Sequence, residues 1–301
     1  MRFSEDDKMK ILISDSFSKD LPKRLSEFGV VTENKKDVPY ADVILVRSAT
    51  KVDKAYIDAA KKMKFVIRGG VGLDNIDVDY CGKKGILVKN TPEASTTAVA
   101  ELVFALMLGI TRNVVKAHNT TKNGQWVKDL KGSELYGKTL GIVGLGRIGT
   151  EVAKRAKAFG MNVIACEKHS RPSEYAQIVS MDDVLRKSDF ISLHVPLTDE
   201  TEEMINKSTL KKMNDGVIII NTARGKLINE SDLAEALKTG KVRYAGLDVY
   251  QQEPPAGSPL LLLENVLLMP HLGAQTYENM QRIGDMVCEM IRDFRHANPK
   301  L

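Results

Sequence analysis

The sequence is poor in cysteine and tryptophan, and it lacks any long apolar run. Its 301 residues include three cysteines, Cys81, Cys166 and Cys288, and one tryptophan. The cysteines have neither the pairing nor the spacing of a disulfide framework or a metal site, which favours reduced thiols inside a cell. No apolar run approaches about 18 residues and residues 1–10 are rich in charge, so we expect a cytoplasmic protein that neither spans a membrane nor is exported.

Blocks of one charge sign are also missing. Lys and Arg number 44, Asp and Glu number 39, and the two signs are interleaved, which leaves a net charge of +5. Because basic and aromatic residues do not alternate anywhere, we expect no nucleic-acid partner. The mild positive field would help a small anionic metabolite to reach a cleft.

The most informative stretch is a short apolar run that leads into a glycine-rich turn, Gly144 to Gly149. Apolar residues then recur at helical spacing until Gly160, so the turn joins a strand to a helix. Gly144 permits the tight turn, Gly146 lets backbone amides approach a pyrophosphate, and Gly149 lets the helix pack closely on the strand. This context predicts a dinucleotide site at the start of the helix, although the bare spacing also fits an ordinary turn.

An acidic residue stands where the ribose of such a dinucleotide would be bound. A second apolar run, residues 162–166, ends in Glu167, which lies about 20 residues beyond the glycine turn. Its carboxylate would accept hydrogen bonds from both ribose hydroxyls and repel a 2′-phosphate, so we expect NAD rather than NADP. Lys168, His169 and Arg171 follow and would soften that preference. The alternative is that Glu167 is only a solvated strand end.

Strand and helix patterns alternate along the whole chain, which predicts the α/β class with two doubly wound parallel sheets. We predict a smaller, flavodoxin-like substrate domain over residues 1–92 and a Rossmann domain that binds NAD over residues 93–272. A last helix over residues 273–301 is predicted to return to the first domain.

Two helices are predicted within the part of the chain assigned to the NAD-binding domain. The apolar-periodic segment from about Ser95 to Thr121 is predicted as one long connecting helix, with Ser95 or Thr96 as its cap. Its length and apolar character favour a homodimer. Thr201 to Met213 is predicted as a second helix.

Three polar side chains follow buried strands, at the edge where a doubly wound sheet binds its ligand. Hydride transfer at an alcohol carbon needs a proton acceptor, a cation for the developing carbonyl and its carboxylate, and a group that tunes the acceptor. His271, Arg224 and Glu253 have these chemistries in that order. Plainer interpretations remain open: a loop histidine bonded to backbone, an exposed cation, and a solvated acid before two prolines.

These pieces together resemble the D-2-hydroxyacid dehydrogenases along nearly the whole chain. The similarity is carried by residues 144–149, 194–198, 221–225, 248–255 and 270–274. It implies that His271 is the general acid/base, that Glu253 pairs with its other ring nitrogen, and that Arg224 binds the carbonyl oxygen and carboxylate of the substrate. It also implies contacts with NAD from Gly144, Gly146, Arg147, Ile148, Gly149, Glu167, His194, Val195, Pro196, Thr201, Thr222, Ala223, Asp248, His271 and Gly273.

Within that family the chain is most similar to the branch that oxidises 3-phospho-D-glycerate to 3-phosphohydroxypyruvate with NAD, the first step of serine synthesis. The matching pieces are residues 46–50, 68–77, 90–92 and 137–141. The resemblance implies that Gly69, Gly70 and Val71 offer backbone amides to the carboxylate. It also implies that Arg47 and Arg68 supply positive charge near the phosphate. Either arginine is otherwise explained by a local salt bridge.

Two departures from that branch leave alternatives open. Residues 91–95 lack its usual glycine-asparagine form, which leaves the acid uncertain, and Cys166-Glu167-Lys168 replaces an aspartate-proline pair. A glyoxylate or hydroxypyruvate reductase is the alternative enzyme, and an NAD-sensing, corepressor-like binding protein is a remote one. Because the chain ends at Leu301, no C-terminal regulatory domain is expected. The expected partners are a small anionic 2-hydroxy or 2-keto acid and a second copy of the chain, with no metal.

Overall fold

The protein is described by a computed structural model that covers residues 8–168 and 172–298. The chain divides into two compact units. The first combines Met1–Ser95 with Ala274–Leu301, and the second is Thr96–Gly273. His169 and Arg171, which the sequence suggested as modifiers of the cofactor preference, lie outside the described residues.

The unit boundaries differ slightly from those expected. The first falls after Ser95 rather than after residue 92, because Ala94 is buried in the core of the first unit. The second falls one residue later than expected, after Gly273, whose amide donates a hydrogen bond to Asp248 inside the second unit.

The described residues form strands and helices that alternate for most of the chain. The strands are β1 Lys10–Ile13, β2 Val30–Thr32, β3 Val43–Val46, β4 Phe65–Arg68, β5 Leu87–Asn90, β6 Thr139–Val143, β7 Asn162–Cys166, β8 Gln177–Ile178, β9 Phe190–Leu193, β10 Val217–Asn221, β11 Val242–Leu247 and β12 Val266–Leu268. The helices are α1 Leu21–Leu25, α2 Lys54–Ala59, α3 Val78–Lys83, α4 Thr96–Thr111, α5 Val114–Lys122, α6 Arg147–Ala158, α7 Met181–Lys187, α8 Lys207–Lys212, α9 Glu230–Lys238 and α10 Tyr277–Ala297.

The first unit is built on a five-stranded parallel sheet with the order β2-β1-β3-β4-β5. This is the flavodoxin-like order of a doubly wound sheet. All four residues of β3, Val-Ile-Leu-Val, are buried, as expected for a strand with helices on both faces. The flavodoxin-like prediction for this part of the chain is therefore confirmed.

Helix α10 supplies much of the core of the first unit. Ile283, Val287 and Ile291 are fully buried, and the Phe294 ring lies 4.9 Å from that of Phe65 in β4. Burial of each such side chain is worth about 1.5 to 3 kcal/mol. The Thr276 side chain caps the helix by accepting a hydrogen bond from the Asn279 amide. The last helix is thus an integral element of the first unit.

The second unit is built on a seven-stranded sheet with the order β12-β11-β10-β9-β6-β7-β8, and every neighbouring pair is parallel. Strand order reverses between β6 and β9, as in a Rossmann fold, and β12 extends the sheet by one strand. The Rossmann prediction is confirmed. Ligands of such sheets bind at the carboxyl ends of the strands, beside the reversal.

The predicted connecting helix is in fact two helices. Asn113 adopts the left-handed backbone conformation, with φ of 52°, so α4 ends at Thr111 and α5 begins at Val114 after a bend of 61°. The predicted caps are also wrong. The hydroxyls of Ser95 and Thr96 are buried without a hydrogen-bond partner among the described residues, so neither caps α4.

The helix predicted from Thr201 to Met213 begins later, at Lys207. Asn206 caps it with a reciprocal pair of hydrogen bonds that involves Thr209. Upstream of this cap, Glu203 adopts a φ of 47° and the Thr201 hydroxyl bonds to the Pro196 carbonyl. These contacts hold residues 201–203 in a turn, because a left-handed residue cannot continue a helix.

Within the described residues, no single helix is long and apolar enough to cross a membrane. The bent pair of α4 and α5 passes that test only when the two helices are counted together.

Candidate active site

Five loops leave the sheet of the second unit at one level. Across the sheet, Val143 pairs with Leu193, Leu193 with Asn221, Asn221 with Leu247, and Leu247 with Leu268. The residue that follows each of these five begins a loop with chemically useful side chains, and these residues are Gly144, His194, Thr222, Asp248 and Met269. Strand register therefore gathers most of the predicted cofactor and catalytic residues at one edge.

The glycine turn between β6 and α6 packs closely at two of its glycines and is open at the third. Gly144 has φ of 92°, and an added Cβ there would lie 2.8 Å from the Val195 side chain. An added Cβ at Gly149 would collide with the Gly144 carbonyl, so helix and strand are as close as the sequence predicts. An added Cβ at Gly146 meets nothing within 4 Å. Gly146, Arg147 and Ile148 thus begin the helix beside open space, which suits a pyrophosphate at the helix start.

The predicted ribose acid lies directly beside that turn. Glu167 follows β7, and its Oε2 atom accepts a hydrogen bond of 2.7 Å from the Leu145 amide. The carboxylate is therefore held at the mouth of the glycine turn, the position expected of a ribose-binding acid. Lys168 lies further out, in an exposed ion pair with Glu200 at 2.6 Å.

The loop after β9 carries a histidine that stays neutral. The His194 Nε2 atom lies 2.8 Å from the Ser192 hydroxyl, and burial lowers the pKa of His194 to about 4. Further along, the Thr201 hydroxyl accepts a hydrogen bond from the Thr198 amide and donates one to the Pro196 carbonyl. Thr201 thus shapes its own loop, and its contact with NAD remains a prediction, as it does for His194, Val195 and Pro196.

The turn after β10 presents Arg224. Asn221 is almost fully buried, and its side chain accepts from the Ala223 amide at 3.0 Å and donates to the Arg224 carbonyl at 2.8 Å. The Thr222 hydroxyl is buried and has no hydrogen-bond partner within the described ranges. A buried hydroxyl normally finds a partner, so a bound ligand fits this position.

The predicted catalytic pair is formed. The His271 Nδ1 atom lies 2.7 Å from Glu253 Oε2, and the two side chains are 37% and 39% exposed. Burial alone would raise the pKa of Glu253, but the hydrogen bond and charge of His271, with help from Arg224, lower it overall. Glu253 is therefore ionised near neutral pH and fixes one ring nitrogen, which leaves Nε2 of His271 as the atom that can exchange a proton.

The backbone of His271 is held in an uncommon conformation by a buried acid. His271 has φ of 56°, a value that costs free energy unless the surroundings enforce it. Asp248 is 1% exposed, and its carboxylate accepts the amides of Leu272 at 2.6 Å and Gly273 at 2.7 Å. Burial raises the pKa of Asp248, and these two amides oppose that rise. Asp248 and Gly273 were predicted as cofactor contacts, and their observed contacts with each other fix the His271 loop.

The other predicted substrate residues belong to the first unit, at the ends of β3 and β4. Val46 pairs with Arg68 across these strands, so Arg47 starts the neighbouring loop. An Nη atom of Arg47 lies 3.3 Å from both the Ser16 carbonyl and Gln275 Oε1, while its Nε atom is buried and has no hydrogen-bond partner among the residues described. Burial lowers the pKa of Arg47, against the charge of Asp15. Such a guanidinium retains donors for an anion.

The turn of residues 47–50 is held by hydrogen bonds with two side chains that the sequence analysis did not single out, Asp15 and Asn75. Asp15 accepts hydrogen bonds from the Arg47 amide at 2.6 Å and from the amide and hydroxyl of Thr50. The Asn75 amide group donates to the carbonyls of Arg47 and Thr50 at 2.7 and 2.6 Å. An acid two residues after β1 and the asparagine of the 68–77 piece were the available signals.

The glycine loop after β4 corrects one expectation. The Gly69 amide donates to the Val46 carbonyl and the Gly70 amide to the Thr91 hydroxyl, both at 2.8 Å. These two amides are therefore committed inside the first unit, and the carboxylate-binding role stays as a proposal for Val71. Gly70 has φ of 148°, and a side chain there would collide with the Arg68 guanidinium.

No group of three His, Cys, Asp or Glu side chains within residues 8–168 and 172–298 could hold a metal ion.

The sheet order and the glycine turn are those of a dinucleotide-binding Rossmann domain, and the paired imidazole lies on the same sheet edge. The chain belongs to the D-isomer specific 2-hydroxyacid dehydrogenase family, and residues 104–273 match its NAD binding domain. The open space at Gly146 and the buried Thr222 hydroxyl fit NAD as its cofactor.

Among its relatives, the chain is 46% identical over 299 residues to D-3-phosphoglycerate dehydrogenase of Methanocaldococcus jannaschii, covering 94% of this chain and 57% of that protein. It is 50% identical over 264 residues to hydroxypyruvate reductase of Thermotoga maritima, covering 85% of each. A D-lactate dehydrogenase structure from Aquifex aeolicus, with NAD and lactic acid, superposes with a TM-score of 0.86 at 30% identity over 96% of both chains.

Proposed function

We propose that this chain oxidises 3-phospho-D-glycerate to 3-phosphohydroxypyruvate by hydride transfer to NAD. The observation that carries the proposal is the 2.7 Å pair of His271 and Glu253, which lies on the same sheet edge as Arg224 and the glycine turn. Arg47 and Arg68, at adjacent strand ends of the first unit, favour a substrate with a second negative group. The M. jannaschii relative bears the corresponding name.

Three side chains divide the work of the proposed reaction. His271 takes the hydroxyl proton of the substrate on Nε2, since Nδ1 is engaged by Glu253. Glu253 stabilises the resulting imidazolium. Arg224 holds the carbonyl oxygen as it forms, together with the carboxylate. Bound NAD would supply the acceptor for the hydride that leaves the substrate carbon.

The carboxylate of Glu167 supports a preference for NAD over NADP. It is held at the glycine turn by the Leu145 amide, where a 2′-phosphate would meet its negative charge. We expect Glu167→Ala to lower the preference for NADH, measured as kcat/KM with NADH divided by kcat/KM with NADPH. An unchanged ratio would remove Glu167 from cofactor selection.

A glyoxylate or hydroxypyruvate reductase is the second candidate, favoured by the T. maritima relative, which is covered over 85% of its length. Steady-state kinetics with NADH and 3-phosphohydroxypyruvate, hydroxypyruvate or glyoxylate separates the candidates. We expect the highest kcat/KM with the phosphorylated acid, and a preference for an unphosphorylated acid would reject the leading proposal. Tight NADH binding with no turnover of any acid would instead indicate a binding protein.

The proposed reaction would be the first step of serine synthesis. The three free cysteines are consistent with a protein of the reducing cytoplasm.

We further propose a homodimer. The helix α4 that first suggested it is largely buried in its own unit. Exposed apolar side chains follow it instead: Val114 is 53%, Val115 47% and Trp126 75% exposed. Such a group is typical of an interaction surface. Sedimentation velocity should give twice the chain mass, and Trp126→Ala should shift the protein towards monomer.

A further inference from the structure

One buried carboxylate of the second unit plays no part in the proposed chemistry. Glu230 is the first residue of helix α9 and is 8% exposed. Both of its carboxylate oxygens accept hydrogen bonds from the loop that carries Glu253. Its Oε1 atom accepts the Gln251 amide at 2.8 Å, and its Oε2 atom accepts the Ser258 hydroxyl. Gln251 precedes Glu253 in the chain and Ser258 follows it, so one side chain holds both ends of the loop.

We propose that Glu230 is a positioning residue, which fixes the loop of residues 250–258 so that the Glu253 carboxylate meets the His271 ring. This inference rests on the proposed function, because it requires the pair of Glu253 and His271 to carry out the proton transfer. In this role Glu230 touches neither substrate nor cofactor and acts only through Glu253.

The ordinary structural role of an acid at a helix start does not explain these contacts. Helix α9 is capped by the preceding residue, Asn229, whose side chain accepts the Asp232 amide at 3.0 Å. Glu230 is therefore not needed as a cap, and its carboxylate extends away from the helix to the loop. Its negative charge remains favourable near the helix N-terminus, which offsets part of the cost of burying it.

The loop has further contacts that orient it but do not replace Glu230. The side-chain amide of Gln251 donates to Glu203 at 3.2 Å and to the Ile228 carbonyl at 3.1 Å. The Tyr250 amide donates to the other oxygen of Glu253 at 3.3 Å. Without the Glu230 carboxylate, the Gln251 amide and the Ser258 hydroxyl would both lose their acceptor, so the loop would move to find others.

The test compares Glu230→Ala, Glu230→Gln and a control, Glu235→Ala, which changes an exposed acid of the same helix. We expect Glu230→Ala to lower kcat between about 10-fold and 100-fold, because a displacement of about 1 Å at a catalytic group costs that much. NADH affinity by fluorescence should stay unchanged. Glu230→Gln should recover most of the activity, since its amide can accept from Gln251 and donate to Ser258. Glu235→Ala should match the wild type.

A double variant separates positioning from general loss of structure. If Glu230 acts through Glu253, adding Glu230→Ala to Glu253→Gln should lower kcat little further. Losses that multiply would overturn the proposal, as would a Glu230→Ala enzyme with wild-type kcat beside an impaired Glu253→Gln enzyme. If Glu253→Gln itself had wild-type kcat, the proposed function would fail rather than the role of Glu230 alone.

Discussion

The two parallel sheets of this protein place polar residues at their carboxyl ends in the same way but for different chemistry. In the first unit, Asp15 and Asn75 bind the backbone of the Arg47 turn. In the second, Asp248 binds the backbone of the His271 loop. Both turns are therefore rigid, and they differ in what they present. A guanidinium is a fixed positive charge, whereas an imidazole can accept and release a proton.

This difference predicts which kinetic constant each edge controls. Fixed charge binds an anionic substrate and its transition state to a similar extent, so its loss should raise KM. A proton acceptor acts only as the reaction proceeds, so its loss should lower kcat.

The largest effect is expected for His271→Gln. It should lower kcat by about 10² to 10⁴, the usual worth of a positioned acid/base, while NADH binding measured by fluorescence stays intact. His118→Gln, at an exposed position of the same unit, is the matched control. Unchanged turnover in the His271 variant would remove it from the chemistry.

Glu253→Gln should have the next largest effect. We expect kcat to fall between about 10-fold and 100-fold, the worth of a hydrogen bond to a charged group. Wild-type kcat in this variant would contradict a role in proton transfer for the pair at 2.7 Å.

Arg47→Ala tests the first unit. The KM for 3-phosphohydroxypyruvate should rise about tenfold, through the loss of one charge-assisted contact, with a smaller rise for glyoxylate and little change in kcat. Lys61→Ala, at an exposed position of the same unit, serves as the control. Equal increases for both acids would place Arg47 outside the phosphate site.

The sequence predicts those features that depend on local pattern. The buried strands β3, β6 and β10 are nearly continuous apolar runs, so both sheets and the edge that carries Arg224 and His271 are predictable. The short strands β2 and β8 are not, because two or three residues at a sheet edge have no period to detect. The break at Asn113 depends on a single left-handed residue within an apolar pattern.

Contacts that position the site are harder to predict than the site itself. Asp15, Glu230 and Asp248 each bind backbone amides of a loop that lies elsewhere in the chain, at separations of 32, 21 and 24 residues for their first such bonds. Only the fold brings these groups together. For the same reason the sequence assigned free amides to Gly69 and Gly70, whose hydrogen-bond partners come from β3 and from Thr91.

The smallest effect is expected on the pH dependence of stability, and it concerns His194, which lies on the same sheet edge as His271. His271 is 37% exposed, whereas burial lowers the pKa of His194 to about 4. An unfolded histidine titrates near about 6.5, so between these pH values the unfolded chain binds more protons and stability falls as pH falls. Urea unfolding from pH 7.5 to 4.5 should therefore show a shallower decline for His194→Gln than for the wild type or His118→Gln. If the unfolding free energies of the variant and the wild type fell in parallel, the His194 ring would be charged in the folded protein at low pH. The ring could then not be neutral in its hydrogen bond with Ser192 at that pH.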